Sequence, residues 1–228
     1  NYYTSGGNAF FGKTIKSALL GNTTGPVPLT GGGEHTIRIQ PGQKAIVENN
    51  TINHPNSDKV NLTIRAGDHA TGSSLDPAND TQYVYVSDNK IISNKNSWVV
   101  QIAPASRAQN NWIYDVLFER NFIILGTSGS QVGIIITASD VTARNNLIDM
   151  SPTGALSASG IVVVNENTVG VPTPNNNKIY NNTMYNSGAA PDYFGIWIEG
   201  IGTTDVTNSV IKNNLGYAPN ITDRTFSP

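Results

Sequence analysis

An Asn-centred hexapeptide recurs along this chain and limits its fold more than any other feature. Val47-Glu48-Asn49-Asn50-Thr51-Ile52 returns as Val86-Ser87-Asp88-Asn89-Lys90-Ile91 and as Phe118-Glu119-Arg120-Asn121-Phe122-Ile123. It returns again as Ala143-Arg144-Asn145-Asn146-Leu147-Ile148, Ile179-Tyr180-Asn181-Asn182-Thr183-Met184 and Ile211-Lys212-Asn213-Asn214-Leu215-Gly216. The second Asn falls at 50, 89, 121, 146, 182 and 214, at intervals of 39, 32, 25, 36 and 32 residues. A period in this range marks stacked supersecondary units, each too small to bury its own apolar face. The variable interval reads as one coil plus a loop of changing length.

A second motif alternates with the first. His35-Thr36-Ile37-Arg38-Ile39, Leu62-Thr63-Ile64-Arg65-Ala66 and Val99-Val100-Gln101-Ile102-Ala103 are its first members. Gly133-Ile134-Ile135-Ile136-Thr137, Ile161-Val162-Val163-Val164 and Gly195-Ile196-Trp197-Ile198-Glu199 follow. Each is a short run of strand formers. Aligned coils are expected to place Ile37, Ile64, Val100, Ile134, Val162 and Ile196 in one inward column. The recurrent Asn is expected at a sharp corner, where its left-handed tolerance and a stacked amide ladder both serve. Asn49 and Asn181 match the N-glycosylation pattern, but a corner Asn is expected to be buried.

Composition agrees with a turn-rich β protein: 29 Asn and 22 Gly accompany abundant Val, Ile and Thr. Charged residues are only 13% and the net charge is −2, which argues against a basic nucleic-acid binder. No apolar run approaches the ~18 residues of a membrane span, so no membrane insertion is expected. The absence of cysteine excludes disulfides, thiolate zinc sites and a thiol nucleophile. The 228 residues divide into a cap or irregular first coil over 1–32, the solenoid over 33–217 and an extension over 218–228.

With these motifs the chain resembles the pectate-lyase-like superfamily, which implies an all-β fold: a single right-handed parallel β-helix. That solenoid serves lyases, hydrolases, epimerases, tailspikes and adhesins, so the fold alone does not name an activity. The stretch from Gly33-Glu34-His35 through Arg38, Asn49-Asn50 and Leu62-Thr63-Ile64-Arg65-Ala66-Gly67 is similar to the alginate lyase and chondroitinase B family. That family carries a catalytic lysine on one strand and an Arg-His-Gly triplet on the next coil. Here Arg38 stands for the lysine and Ala66 for the triplet histidine.

Side chains on the outer sheet faces are the candidates for chemistry. One outward column is expected to read Arg38, Arg65, Gln101, Ile135, Val163, Trp197, and the next Gln40, Gly67, Ala103, Thr137, Asn165, Glu199. The Asn motif gives a third: Glu48, Ser87, Glu119, Arg144, Tyr180, Lys212. Arg38 and Arg65 on adjacent coils would lie about 5 Å apart and suit a uronate carboxylate. β-Elimination needs that carboxylate neutralised, by Arg38 and Arg65 or by Ca²⁺ on Glu34, Glu48 and Asp68, and a base such as His35 or Lys59. Gln101, Tyr193, Trp197 and Glu199 are candidate sugar contacts. Hydrolysis by paired carboxylates is weakly indicated, because no Asp-Asp pair occurs in the sequence. The expectation is therefore a secreted or cell-surface protein whose partner is an anionic polysaccharide, polysaccharide-lyase-like if catalytic. The alternative is a non-catalytic structural or adhesive β-helix. The oligomeric state is left open.

Overall fold

A computed structural model describes residues 2–3, 9–11, 16–24, 35–40, 43–53, 60–66, 80–93, 98–103, 112–126, 130–151, 157–165, 173–187, 193–199, 206–217 and 226–227. The described residues form one all-β parallel solenoid with three sheets of eight, eight and seven strands. Sheet 1 holds Tyr2–Tyr3, Thr23–Thr24, Thr51–Asn53, Lys90–Ile92, Phe122–Ile124, Leu147–Asp149, Thr183–Tyr185 and Leu215–Tyr217. Sheet 2 holds Ala9–Phe11, Ile37–Ile39, Leu62–Ile64, Trp98–Ile102, Ser130–Ile136, Ser157–Val164, Tyr193–Glu199 and Phe226–Ser227. Sheet 3 holds Ser17–Leu20, Ala45–Glu48, Thr81–Ser87, Ile113–Glu119, Val141–Arg144, Lys178–Tyr180 and Val210–Lys212. The Asn hexapeptide is thus two strands, one from sheet 3 and one from sheet 1, joined at a corner.

At that corner the two Asn positions divide the labour. The first residue takes the left-handed conformation: φ is 56° at Asn49, 56° at Asp88, 54° at Arg120, 54° at Asn145, 56° at Asn181 and 53° at Asn213. The second, recurrent Asn forms the ladder. Asn50, Asn89, Asn121 and Asn146 each pass a side-chain N–H to the Oδ1 of the next coil's Asn at 2.9–3.1 Å. The left-handed preference therefore belongs to the residue before the ladder, not to the ladder Asn as expected from sequence. The first-position residues Asn49 and Asn181 are exposed, so the expectation that they are buried is corrected.

The ladder also begins one coil earlier than the hexapeptide suggests. Asn22 donates its side-chain N–H to Asn50 Oδ1 at 3.2 Å, and Gly21 supplies the left-handed residue with φ 64°. Segments within residues 1–32 accordingly pair as coil strands: Ser17–Leu20 on Ala45–Glu48, and Ala9–Phe11 on Ile37–Ile39.

The sheets enclose one dry core of Ile, Val and Leu, with Ile37, Leu62, Val100, Ile134 and Ile161 fully buried in one column. Two members of the expected column change. Ile64 lies beside Ile39 and Ile102, two residues along. Val162 faces outward and packs with Ile135, Val164 and Trp197 in a separate apolar cluster. Gly133 and Gly160 occur where sheet 2 packs closely against Ile148 and Met184 of sheet 1. A Cβ on Gly160 would sit 2.4 Å from Met184 Cγ and 2.6 Å from the Gly195 carbonyl.

Candidate functional site

Register decides which outward side chains meet. On sheet 2 the observed outward column is Arg38, Thr63, Gln101, Ile135, Val162, Trp197. Arg65 is not beside Arg38. Its N–H bonds the Ile39 carbonyl at 2.8 Å, so it is level with Gln40 on the neighbouring coil. The two arginines share the outer face as diagonal neighbours, with backbones about 8 Å apart. Thr63 stands directly beside Arg38, and the Thr63 hydroxyl donates to Gln101 Oε1 at 3.2 Å. Val163, expected outward, is fully buried in the core. In the next column Arg65 replaces Gly67 and Val164 replaces Asn165, with Glu199 beside Val164.

The remaining candidates fall as follows. His35 is buried, and its Nδ1 accepts the Val60 N–H at 3.1 Å, so that nitrogen is committed to the backbone. Gln101 is buried beneath the outer face, Trp197 is half-buried in the apolar cluster and Glu199 is half-buried. Trp197 lies five strands from Arg38, about 24 Å away. Tyr193 is in a sheet 2 strand. Lys59, Glu34 and Asp68 lie outside the described residues. Glu48 accepts from the Ser87 hydroxyl at 3.2 Å. Among the described residues no three His, Asp or Glu side chains converge on a point where an ion could sit.

The third outward column matches its sequence expectation: Glu48, Ser87, Glu119, Arg144, Tyr180 and Lys212 follow one another on sheet 3. It is a self-satisfied polar wall. The buried Glu119 accepts from Tyr85 Oη at 2.9 Å, from Arg144 Nε at 2.5 Å and from Arg120. Burial pushes the Glu119 carboxyl up, but these hydrogen bonds and the Arg144 charge outweigh it, so its pKa is lowered. Arg120 also holds both Asp88 oxygens, at 2.8 and 2.9 Å, and lowers that carboxyl too. Arg144 and Lys212 sit over Tyr180, at 6.0 and 5.9 Å from its ring centre. With its groups paired internally, this wall serves stability.

The corner between sheets 2 and 3 is different. Here a second left-handed column runs through Tyr83, Asp115, Asp140, Asn176 and Asn208, with φ between 51° and 56°. Asp and Asn suit this conformation, and their side chains project outward. Asp115 and Asp140 occupy successive coils, because Val116 N–H bonds the Asp140 carbonyl at 3.3 Å. Asn176 donates to Asp140 Oδ1 at 2.5 Å. Leu117, Thr142 and Lys178 continue the wall, and together these residues line an open groove of about 320 Å³. Sequence reasoning missed this carboxylate pair because the two residues are 25 positions apart and become neighbours only through coil stacking. The available signal was an Asp or Asn near the start of the last four sheet 3 strands: Asp115, Asp140, Asn176 and Asn208.

Tyr83 of this column is 54% exposed, and other exposed aromatics lie elsewhere. Tyr185 and Tyr217 stack at 5.4 Å with an interplanar angle of 9° on sheet 1. Trp98 and Trp112 are exposed at 37% and 44%. Compared with family models, curated proteins and solved structures, the chain matches none.

Proposed function

We propose that this protein is an extracellular or cell-surface β-helix that binds a polysaccharide without cleaving it. The reading rests on the groove at the corner of sheets 2 and 3, where Asp115, Asp140, Thr142, Asn176 and Lys178 present acceptors and donors on successive coils. Carboxylates accept from sugar hydroxyls, and the amide, hydroxyl and ammonium groups complement them. Coil spacing near 4.8 Å approximates the advance of one sugar along an extended chain, so a glycan lying parallel to the solenoid meets equivalent groups repeatedly. Two carboxylates repel uronates, which favours a neutral or amino-sugar polymer at this groove. Asp115 is exposed and the groove is open to water, which suits binding better than acid–base chemistry.

Calorimetric titration against neutral, amino-sugar and uronate polymers tests the reading. The double change Asp115→Asn and Asp140→Asn is expected to weaken binding about tenfold, the scale of a lost charge-assisted contact. Absence of binding to every polymer, or binding indifferent to these changes, rejects it.

A second reading places a uronate polymer on Arg38 and Arg65, with elimination as the reaction. Their shared outer face supports it. The intervening Thr63 and the engaged Nδ1 of His35 weigh against it. Growth of unsaturated-uronate absorbance on alginate, pectate or glycosaminoglycans, abolished by Arg38→Ala, would put this reading first.

A further inference from the structure

The corner that carries the groove continues onto earlier coils. Ser17 pairs with Ala45 and Ala45 with Val84, so Lys16 and Lys44, which precede them, fall on the two coils before Tyr83. Tyr83 is level with Asp115, because Gln82 and Val84 pair with Tyr114 and Val116. One column at the corner of sheets 2 and 3 therefore reads Lys16, Lys44, Tyr83, Asp115, Asp140, Asn176, one residue per coil.

Charge is sorted along this column. Lys16 and Lys44 are both exposed, and neither ammonium has an ion-pair partner among the described residues. Their backbones are neighbours, with the Ser17 N–H on the Lys44 carbonyl at 2.8 Å. Like charges on adjacent strands are unfavourable unless an anion shares them. Asp115 and Asp140 repeat the arrangement with the opposite sign. Coils about 4.8 Å apart put Lys44 and Asp115 about 10 Å from each other along the solenoid.

Tyr83 stands between the two charges. It is the one aromatic among the described residues with a positive φ, and its side chain is exposed. Bulky residues rarely take this conformation, which Asn or Asp would hold at lower cost. Backbone strain of this kind is retained where a site uses the side chain it presents. A tyrosine face suits the C–H face of a pyranose and the approach of an ammonium group.

We propose that this column is one binding track for a polysaccharide carrying both acidic and amino groups. The acidic group lies on Lys16 and Lys44, a pyranose ring on Tyr83 and the amino group on Asp115 and Asp140. A uniformly anionic polymer is repelled by the aspartates and a uniformly cationic one by the lysines, so a mixed polymer alone satisfies both. The inference rests on the glycan-binding reading above and names the charge pattern that the groove and its extension select.

Calorimetric titration with three polymers tests this on the intact chain: chitosan, fully N-succinylated chitosan and a partially N-succinylated copolymer. Runs at about pH 6 keep amines protonated and carboxylates ionised, and about 0.15 M salt screens long-range attraction. The copolymer should bind about tenfold tighter than either parent, the scale of an added charge-assisted contact. Lys44→Gln should remove that gain while leaving chitosan binding and the melting temperature in place. Lys90→Gln makes the same charge change at an exposed position on sheet 1 and should keep the gain. Tyr83→Ala should weaken the copolymer about tenfold. If neither chitosan nor the copolymer binds, the glycan-binding reading itself fails, and this inference with it. If chitosan binds through Asp115 and Asp140 but the copolymer binds no tighter, that reading stands and this inference is overturned. A gain that Lys44→Gln and Lys90→Gln affect equally, or that Tyr83→Ala leaves untouched, overturns it as well.

Discussion

Asn146 donates twice to one oxygen of Asn182: its side-chain amide reaches Oδ1 at 2.9 Å and its backbone N–H reaches the same atom at 3.1 Å. Its own Oδ1 takes the equivalent pair from Asn121 at 3.1 and 3.0 Å. Each ladder residue therefore completes the polar needs of the coil before it. Inside a dry corner such groups are costly to leave unmade.

Asn146→Ala is expected to lower stability by roughly 1–3 kcal/mol, since it takes the acceptor from both Asn121 donors and removes one of the two donors to Asn182 Oδ1. Asn145→Gly, at the exposed left-handed position with φ 54°, should change little, because glycine adopts that conformation freely. Chemical denaturation of both variants checks the contrast. Equal losses would remove the distinction between ladder and turn positions.

The Glu119 cluster should make stability depend on acid. Its carboxyl lies below the ordinary 4.5 because Arg144, Tyr85 and Arg120 hold the ionised form against burial. A depressed folded-state pKa contributes stability above the unfolded value and loses it as pH falls through the folded value. Melting temperature should thus be level near neutrality and drop below about pH 4.5. Glu119→Gln should melt lower at neutral pH, and its gap from the wild type should narrow in acid. A pH-independent gap would assign the effect to packing alone.

Gly160→Ala is expected to cost roughly 1–3 kcal/mol through overpacking, since the new methyl would meet Met184 Cγ and the Gly195 carbonyl oxygen. Gly21→Asn is the control. Nothing stands within 4 Å of a Cβ at Gly21, and Asn tolerates its φ of 64°. Thermal melts of the two should separate clearly, and similar values would argue against the close packing of Gly160 on Met184.

Ile134→Asp should prevent folding, because a carboxylate in the fully buried column has no partner and costs several kcal/mol. Ile46→Asp, on the outer face of sheet 3 at 42% exposure, should retain cooperative melting. Circular dichroism on both reads out the inward and outward assignment.

The sequence by itself determined the architecture, the Asn ladder and the Glu48-to-Lys212 wall. The Asn corner is a local chemical event that recurs, and it pins register in the strands on either side. Sheet 2 was less legible for a specific reason. A shift of two residues leaves every side chain on its original face, so alternation could not tell Ile64 from Leu62 as the neighbour of Ile37. In the runs Ile134–Ile136 and Ile161–Val164 alternation is silent altogether, because both faces are apolar, and Val162 was therefore misplaced by one residue. Only the stacked coils decided that Thr63 separates Arg38 from the Arg65 position, that Asp115 and Asp140 become neighbours, and that Glu119 is enclosed by three donors. Loops of unequal length set those meetings, and a chain's linear order does not encode how far each loop advances the next strand.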